Sequence, residues 1–138
     1  MQVSQEGDKI IAKLDDEKNL IVSLEAVVKK YKIQSGLILS GIGMFKKVKL
    51  GYFDGKRYIT KEFDKPMELI SLQGNIAFTD KPIFHMHCCI SGQDKNAYAG
   101  HLLDATIRVT NEIAILKLKK IKLTRKLNKF GLMGLEIK

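Results

Sequence analysis

The sequence predicts an α+β domain in which one main helix packs on a largely antiparallel β-sheet. The first observation is one stretch of helical period, where apolar side chains recur three or four residues apart at Leu20, Leu24, Val27, Val28 and Tyr31. The second is the change after this stretch to short apolar or alternating runs, which are typical of strands. The third is the length of 138 residues, which suits a single packed core.

At the N-terminus we expect a tail over residues 1–7 and the domain itself over residues 8–138. Residues 10–14 form a short apolar segment that could be a first strand. Asp15 and Asp16 follow it, and their carboxylates could accept hydrogen bonds at the start of a helix and interact favourably with its dipole. The pattern therefore predicts a helix over roughly residues 16–31.

The rest of the chain is predicted to form successive strands, over residues 33–42, 48–53, 57–63, 67–72, 76–78, 83–90 and 106–118. Glycines at 41 and 43 are expected to end the first of these strands. Asp54-Gly55 predicts a tight hairpin turn, and Gly74 indicates a bulge. Beyond residue 118 the apolar alternation slips at Lys119-Lys120, where we expect a bulge or turn.

Composition excludes several classes of protein. With 45% hydrophobic and 28% charged residues, the chain is neither a disordered tail nor a fibrous repeat. It has no run of about 18 apolar residues, and its first residues lack the pattern of a secretory signal. Cys88 and Cys89 are adjacent and cannot link distant parts of the chain, which fits a reducing compartment. We therefore expect a soluble cytoplasmic protein without membrane contact.

The positive charge is concentrated near the C-terminus. Of the net charge of +9, residues 117–138 carry +7 and residues 1–116 only +2. This asymmetry predicts either a polyanion partner or a solvated, lysine-rich strand face. The candidate DNA contacts are Lys117, Lys119, Lys122, Arg125 and Lys126. Because lysines outnumber arginines 21 to 3, phosphate contacts are favoured over the reading of base edges.

The three histidines could form a metal site. His85 and His87 are two residues apart on a predicted strand, so they share one face at a spacing of about 6.6 Å. His101 follows a glycine, which permits close approach of the backbone. Three imidazoles with an open fourth position are typical of catalytic zinc. Cys89 continues the same face as a stretched additional ligand, and Glu112 could orient a ligand or act as a base.

The competing interpretation is that these histidines only form hydrogen bonds within a packed face or a subunit interface. Other catalytic patterns are weak or missing, since the sequence has no phosphate-binding loop and no nucleophile elbow. Residues alone therefore leave a metal site and a structural role as alternatives.

Several motifs occur in the order and spacing of a known family, namely Leu39 to Gly43, Met67 to Ile76, His85-Met86-His87, Gly100-His101-Leu102 with Glu112, and Arg125 to Leu135. Together they resemble the plant and prokaryote conserved (PPC) domain over residues 8–138. The resemblance implies an antiparallel α+β fold and a homotrimer. Plant members carry AT-hooks and act as DNA-binding regulators, whereas this chain has no Arg-Gly-Arg core of such a hook.

Three functional hypotheses follow. The resemblance implies a DNA-binding protein of the stand-alone type, which would contact phosphates through the C-terminal basic residues. The alternative is a metal-dependent enzyme or small-ligand-binding protein that uses His85, His87 and His101, with zinc as the expected ion. In the third, the histidines only stabilise a trimer. Whether the protein is an enzyme stays open at this point.

Overall fold

The computed structural model describes all residues, 1–138, and contains one helix and nine strands. The helix α1 spans Leu20–Lys30. The strands are β1 (Gln2–Glu6), β2 (Lys9–Asp15), β3 (Gly36–Phe53), β4 (Tyr58–Phe63), β5 (Met67–Phe78), β6 (Pro82–Ser91), β7 (Ala97–Lys117), β8 (Leu123–Leu127) and β9 (Met133–Ile137). The predicted α+β class is confirmed.

The main sheet closes on itself. Its seven strands lie in the order β1-β2-β7-β6-β5-β3-β4, and β3 also pairs with β7. Strands β3, β5, β6 and β7 therefore form a closed antiparallel ring, a small barrel in which each strand has two hydrogen-bonded neighbours within the ring. Strands β8 and β9 form a separate hairpin, and β8 packs against β5. Closure is possible because β3 and β7 are long enough to pair along different parts of their length with different partners.

The core lies inside this ring and beneath α1. Strand β2 shows the underlying pattern, since Ile10, Ala12 and Leu14 are buried while the residues between them are exposed. The helix buries Leu20, Leu24, Val27 and Val28 at helical spacing and contacts β2, β6 and β7. The period-based prediction of which helical face packs on the sheet is thus confirmed. The helix is too short to cross a lipid bilayer.

The start of the helix differs from the prediction. It begins at Leu20 rather than near residue 16, and Asn19 caps it by accepting a hydrogen bond from the Val22 amide at 3.1 Å. Asp16 instead accepts from the Val109 amide on β7 at 2.8 Å. Glu17 has a φ of +61°, in the left-handed region, so the chain turns there before it can become helical.

Strands β3 and β5 are longer than predicted. Strand β3 continues through Gly43, and two observations show that this position requires glycine. Its φ is +140°, and a Cβ built on it would lie 2.1 Å from the Thr110 carbonyl oxygen. Strand β5 also runs unbroken through Gly74, and its irregularity lies between Leu69 and Ser71 instead. Glycine in these strands permits close backbone approach rather than ending the strand.

Of three further local predictions, the two turns are confirmed and the N-terminal tail is not. The Asp54-Gly55 hairpin is confirmed, because the Asp54 carboxylate accepts from the Lys56 and Arg57 amides at 2.8 and 2.9 Å. The break at Lys119-Lys120 is confirmed as a bend between β7 and β8. Residues 1–7, predicted as a tail, instead contain β1, which pairs with β2. The homotrimer stays a prediction.

Candidate metal centre

Two adjacent strands bring the three histidines together on the outside of the barrel. Strand β6 buries Met86 and Cys88, so the alternate residues His85 and His87 point away from the core. His101 on β7 lies directly opposite His87 in the β6–β7 register. Directly opposite residues share a face. The three ring centroids are consequently 5.1–5.2 Å apart in every pair.

The nitrogen positions suit a shared ion. One nitrogen from each ring lies within 4.8 Å of the others, and the Nε2 atoms of His85 and His87 are 3.3 Å apart. Two nitrogens bound to one tetrahedral zinc at about 2.0–2.1 Å are separated by roughly 3.3 Å. The same distance also allows a hydrogen bond in which one ring donates and the other accepts. Metal binding and a purely structural contact therefore both remain compatible with this pair.

A second observation favours the metal. The Nδ1 atom of His101 is buried and has no hydrogen-bond partner within the chain. A buried polar atom without a partner carries a desolvation cost, and such atoms often mark a ligand site. Three imidazoles that converge on one point, with His87 exposed to solvent, would hold a zinc ion and leave a position for water or substrate. The donor set therefore fits zinc.

The lack of a side chain at Gly51 allows Tyr58 to pack beside His101. Gly51 on β3 lies opposite His101, and a Cβ built on it would be 2.8 Å from a ring carbon of Tyr58. The absence of that side chain lets the Tyr58 ring lie 5.3 Å from the His101 ring, centroid to centroid. Tyr58 thus covers one side of the histidine cluster.

Burial and nearby positive charge favour the neutral forms of His85 and His101. Desolvation, followed by His85, His87 and Arg125, lowers the pKa of His101 to about 4. Desolvation also lowers the pKa of His85 below its usual value, with further contributions from Arg125 and His87. Neutral imidazole is the form that binds a metal. At neutral pH these two residues are therefore ready to bind an ion without first losing a proton.

These shifts predict how the stability of metal-free protein depends on pH. A histidine in the unfolded chain has a pKa of about 6.5, whereas that of His101 is about 4 when folded. Below about pH 6.5 the unfolded state binds a proton that the folded state does not, so stability present above that pH is lost as pH falls toward 4. The loss is at most about 1.4 kcal/mol per unit of pKa difference, reduced by the partial exposure of the ring.

The measurement is urea unfolding of EDTA-treated protein at pH 7 and pH 5, beside a His101→Gln variant. We expect the variant to lose less stability than the parent over this interval. Equal losses in both proteins would contradict a lowered pKa at His101.

Two other sequence candidates lie outside the cluster. Glu112 is exposed on β7 and pairs with Ile42 of β3, whereas His101 pairs with Gly51, so the two are separated by on the order of 30 Å of strand. Within one chain Glu112 is therefore not brought to the histidines. Cys89 shares their strand but does not join the group of converging donors.

The candidate DNA contacts divide into two groups. The side chains of Lys119, Lys122 and Lys126 are exposed, and none forms a salt bridge with a carboxylate. Lys117 is half-buried and donates to the Tyr31 carbonyl oxygen at 2.8 Å. Arg125 is only 9% exposed and is held by contacts within the chain. The structure thus leaves three of the five predicted residues free to meet a phosphate.

Asn75 and Tyr58 lie beside the cluster although neither was predicted as a site residue, and Arg125, predicted as a DNA contact, is turned toward Asn75. Asn75 is the cross-strand partner of His85, and the Arg125 guanidinium donates to its amide oxygen. A polar residue within an apolar strand was the available signal for Asn75. No signal in the sequence shows that β8 packs on β5, because that contact links segments about 50 residues apart.

Comparisons with known proteins agree with this fold. The family model of the Plants and Prokaryotes Conserved (PCC) domain, the family that the motifs resemble, matches residues 1–119. No curated protein matches the chain. A Bacteroides thetaiotaomicron structure, described as a candidate DNA-binding protein, is 29% identical with a TM-score of 0.91, and the match covers 98% of this chain and 96% of that one.

Two archaeal structures are also similar. A PPC protein from Pyrococcus horikoshii is 29% identical with a TM-score of 0.86, over 98% of this chain and 93% of that one. A protein from Archaeoglobus fulgidus that is described as metal-containing is 31% identical with a TM-score of 0.84, over 96% of each chain. Among these similar structures, one is therefore described as a candidate DNA-binding protein and another as metal-containing.

Proposed function

This chain belongs to the Plants and Prokaryotes Conserved domain family, and we propose that it binds a divalent metal ion, with zinc preferred, through His85, His87 and His101. Three neutral protein ligands leave part of the coordination shell for water or a small ligand. When bound, zinc would polarise a carbonyl group or lower the pKa of water to about 7. The site therefore suits a metal-dependent enzyme or a receptor for a small ligand.

The observation that carries the proposal is the convergence of three imidazole nitrogens within 4.8 Å of one another. The buried Nδ1 of His101, which has no partner in the chain, adds to it. A similar structure, 31% identical over 96% of its length, is described as metal-containing. The competing structural role would not require three rings to meet at one point.

The experiment is a calorimetric zinc titration of EDTA-treated protein without a histidine tag, beside its His87→Ala variant. One ion bound per chain by the parent, and none by the variant, would support the proposal. A parent protein that binds no zinc, cobalt or nickel at pH 7 would overturn it.

DNA binding is the second candidate function, and charge favours it. The last 22 residues carry a net charge of +7, and their exposed lysines have no carboxylate partner within the chain. The similar Bacteroides structure described as a candidate DNA-binding protein adds weaker support. Lysines would contact phosphates and not bases, so binding would depend little on DNA sequence.

This candidate predicts that duplex binding is weak and is lost between about 50 and 200 mM salt. The variant Lys119→Glu/Lys122→Glu should weaken binding equally for unrelated duplexes and reduce the magnitude of the salt slope by roughly 2. Fluorescence anisotropy at several salt concentrations measures both quantities. The matched control, Lys29→Glu/Lys30→Glu, makes the same charge change on exposed residues of α1. An equal loss in both variants, or no binding at low salt, would contradict the proposed surface.

A further inference from the structure

Arg125 lies beside the histidine cluster but is not a metal ligand. It is located on β8, which packs against β5, and its guanidinium donates to the Asn75 side-chain oxygen and to the Met133 carbonyl oxygen. Asn75 in turn is directly opposite His85 in the β5–β6 register. Opposite residues share a face with Cβ atoms about 4.5–5.5 Å apart. The guanidinium is thus one side chain removed from the metal ligands.

The charge of this guanidinium is not balanced within the chain. Arg125 forms no salt bridge, since both of its recorded partners are neutral oxygens. The three histidines are also neutral ligands, and no carboxylate belongs to their cluster. With a divalent ion bound, the site would therefore carry about three positive charges and no negative one. Because Arg125 is buried and the ion would lie beside it, a charge of this size favours a counter-ion at the site.

The guanidinium also has hydrogen-bonding capacity left over. Arg125 is 9% exposed, and its Nε atom is buried without any partner. Guanidinium presents five donors in a planar fork that matches the oxygens of a carboxylate or phosphate. Arg125 is thus a buried, incompletely paired arginine one side chain away from the histidine cluster, and a guanidinium of this kind suits recognition of an anion.

We propose that the ligand of this site is a small oxyanion, a carboxylate or a phosphate or phosphonate, which occupies the open metal position and pairs with Arg125. The inference rests on the metal function proposed above and adds the chemical class of the ligand. Asn75 positions the guanidinium by holding one of its nitrogens. Arg125 then contributes to ligand binding and not to metal binding.

The test uses full-length protein loaded with Co²⁺, whose visible spectrum reports both metal uptake and a change in the fourth ligand. Acetate and methylphosphonate serve as separate probes, so that the two arms distinguish a carboxylate from a phosphonate ligand. We expect at least one of them to change the spectrum saturably. In Arg125→Gln its affinity should fall at least tenfold, while Co²⁺ affinity stays the same or rises because a repelling charge is removed.

Two further variants control for folding and for net charge. Asn75→Asp keeps the size of the side chain and neutralises the guanidinium within the chain, so it should also lower anion affinity about tenfold. Lys129→Gln makes the same charge change at an exposed position in the β8–β9 turn and should leave both affinities unchanged.

The outcomes separate the two proposals. Absence of Co²⁺ binding by the parent would overturn the metal function and the anion inference together. Normal Co²⁺ binding with no response to either anion would overturn the anion inference alone. If Arg125→Gln does not fold, Asn75→Asp decides: unchanged anion affinity in that variant would refute the role of Arg125. Parallel losses of Co²⁺ and anion affinity in both variants would indicate a structural role and would likewise refute it.

Discussion

Replacing His87 with alanine is expected to abolish zinc binding while the protein remains folded. Its Nε2 lies 3.3 Å from that of His85, and its ring is in contact range of both other histidines. Removing groups that only orient a metal ligand costs about 10–100-fold in affinity, so loss of a ligand should cost more than about 100-fold. The fold should survive because His87 is exposed and the strand is held by buried Met86 and Cys88.

The matched control for this variant is Cys89→Ala. Cys89 is on the same strand and the same face, two residues further on, and lies outside the group of converging donors. We expect it to retain zinc affinity within about threefold of the parent, in contrast to the loss at His87. Zinc titration and thermal unfolding of the three proteins provide the comparison. If His87→Ala lowers stability and the parent never binds metal, the structural interpretation of the histidines is correct.

Replacing Gly74 with alanine is expected to destabilise the protein. Among the glycines of the barrel ring whose φ is not in the left-handed region, it should show the largest loss of stability. A Cβ built there would lie 2.1 Å from the His85 carbonyl oxygen and 2.9 Å from the Met86 Cα. Both are backbone atoms of β6, so they cannot rotate away, and β6 must separate from β5. Forced overpacking of this kind costs about 1–3 kcal/mol of unfolding free energy. Because His85 moves with its backbone, zinc affinity should fall as well.

The control is Gly134→Ala on β9. A Cβ at that position meets no atom closer than 3.5 Å, which is ordinary van der Waals contact, and its φ is not in the left-handed region. The change should therefore alter the unfolding free energy by no more than about 0.5 kcal/mol. Urea unfolding followed by circular dichroism measures both variants. Equal midpoints for Gly74→Ala and the parent would show that the two strands are not as close as the structure has them.

Predictions from local periodicity were reliable where one face is buried and the other exposed. The apolar spacing of Leu20, Leu24 and Val27 predicted the packed face of α1, and the spacing of His85 and His87 predicted that both share one face of a strand. Helical and strand periods alone set which side chains lie together on an element. His101 was predicted to join them because it follows a glycine that permits close backbone approach, and the structure brings all three within reach of one ion.

Predictions failed where a contact with a distant segment decides the local structure. Asp16 has the chemistry of a helix cap, but its carboxylate binds the Val109 amide, 93 residues further along the chain. Gly43 and Gly74 looked like strand ends or bulges, whereas they allow neighbouring strands to approach. Propensity describes what a residue can do next to its chain neighbours, and tertiary contacts override it.

The sequence by itself determined the fold class, the packed face of the helix, the shared face of His85 and His87, and the location of the positive charge. These properties depend on period and composition, which need no knowledge of distant neighbours. Only the tertiary structure decided that β3 closes a ring with β7, that Glu112 lies far from the histidines, and that Arg125 turns inward toward Asn75. The physical reason is that strand pairing joins residues far apart in the chain, and alternation along one strand does not specify its partner.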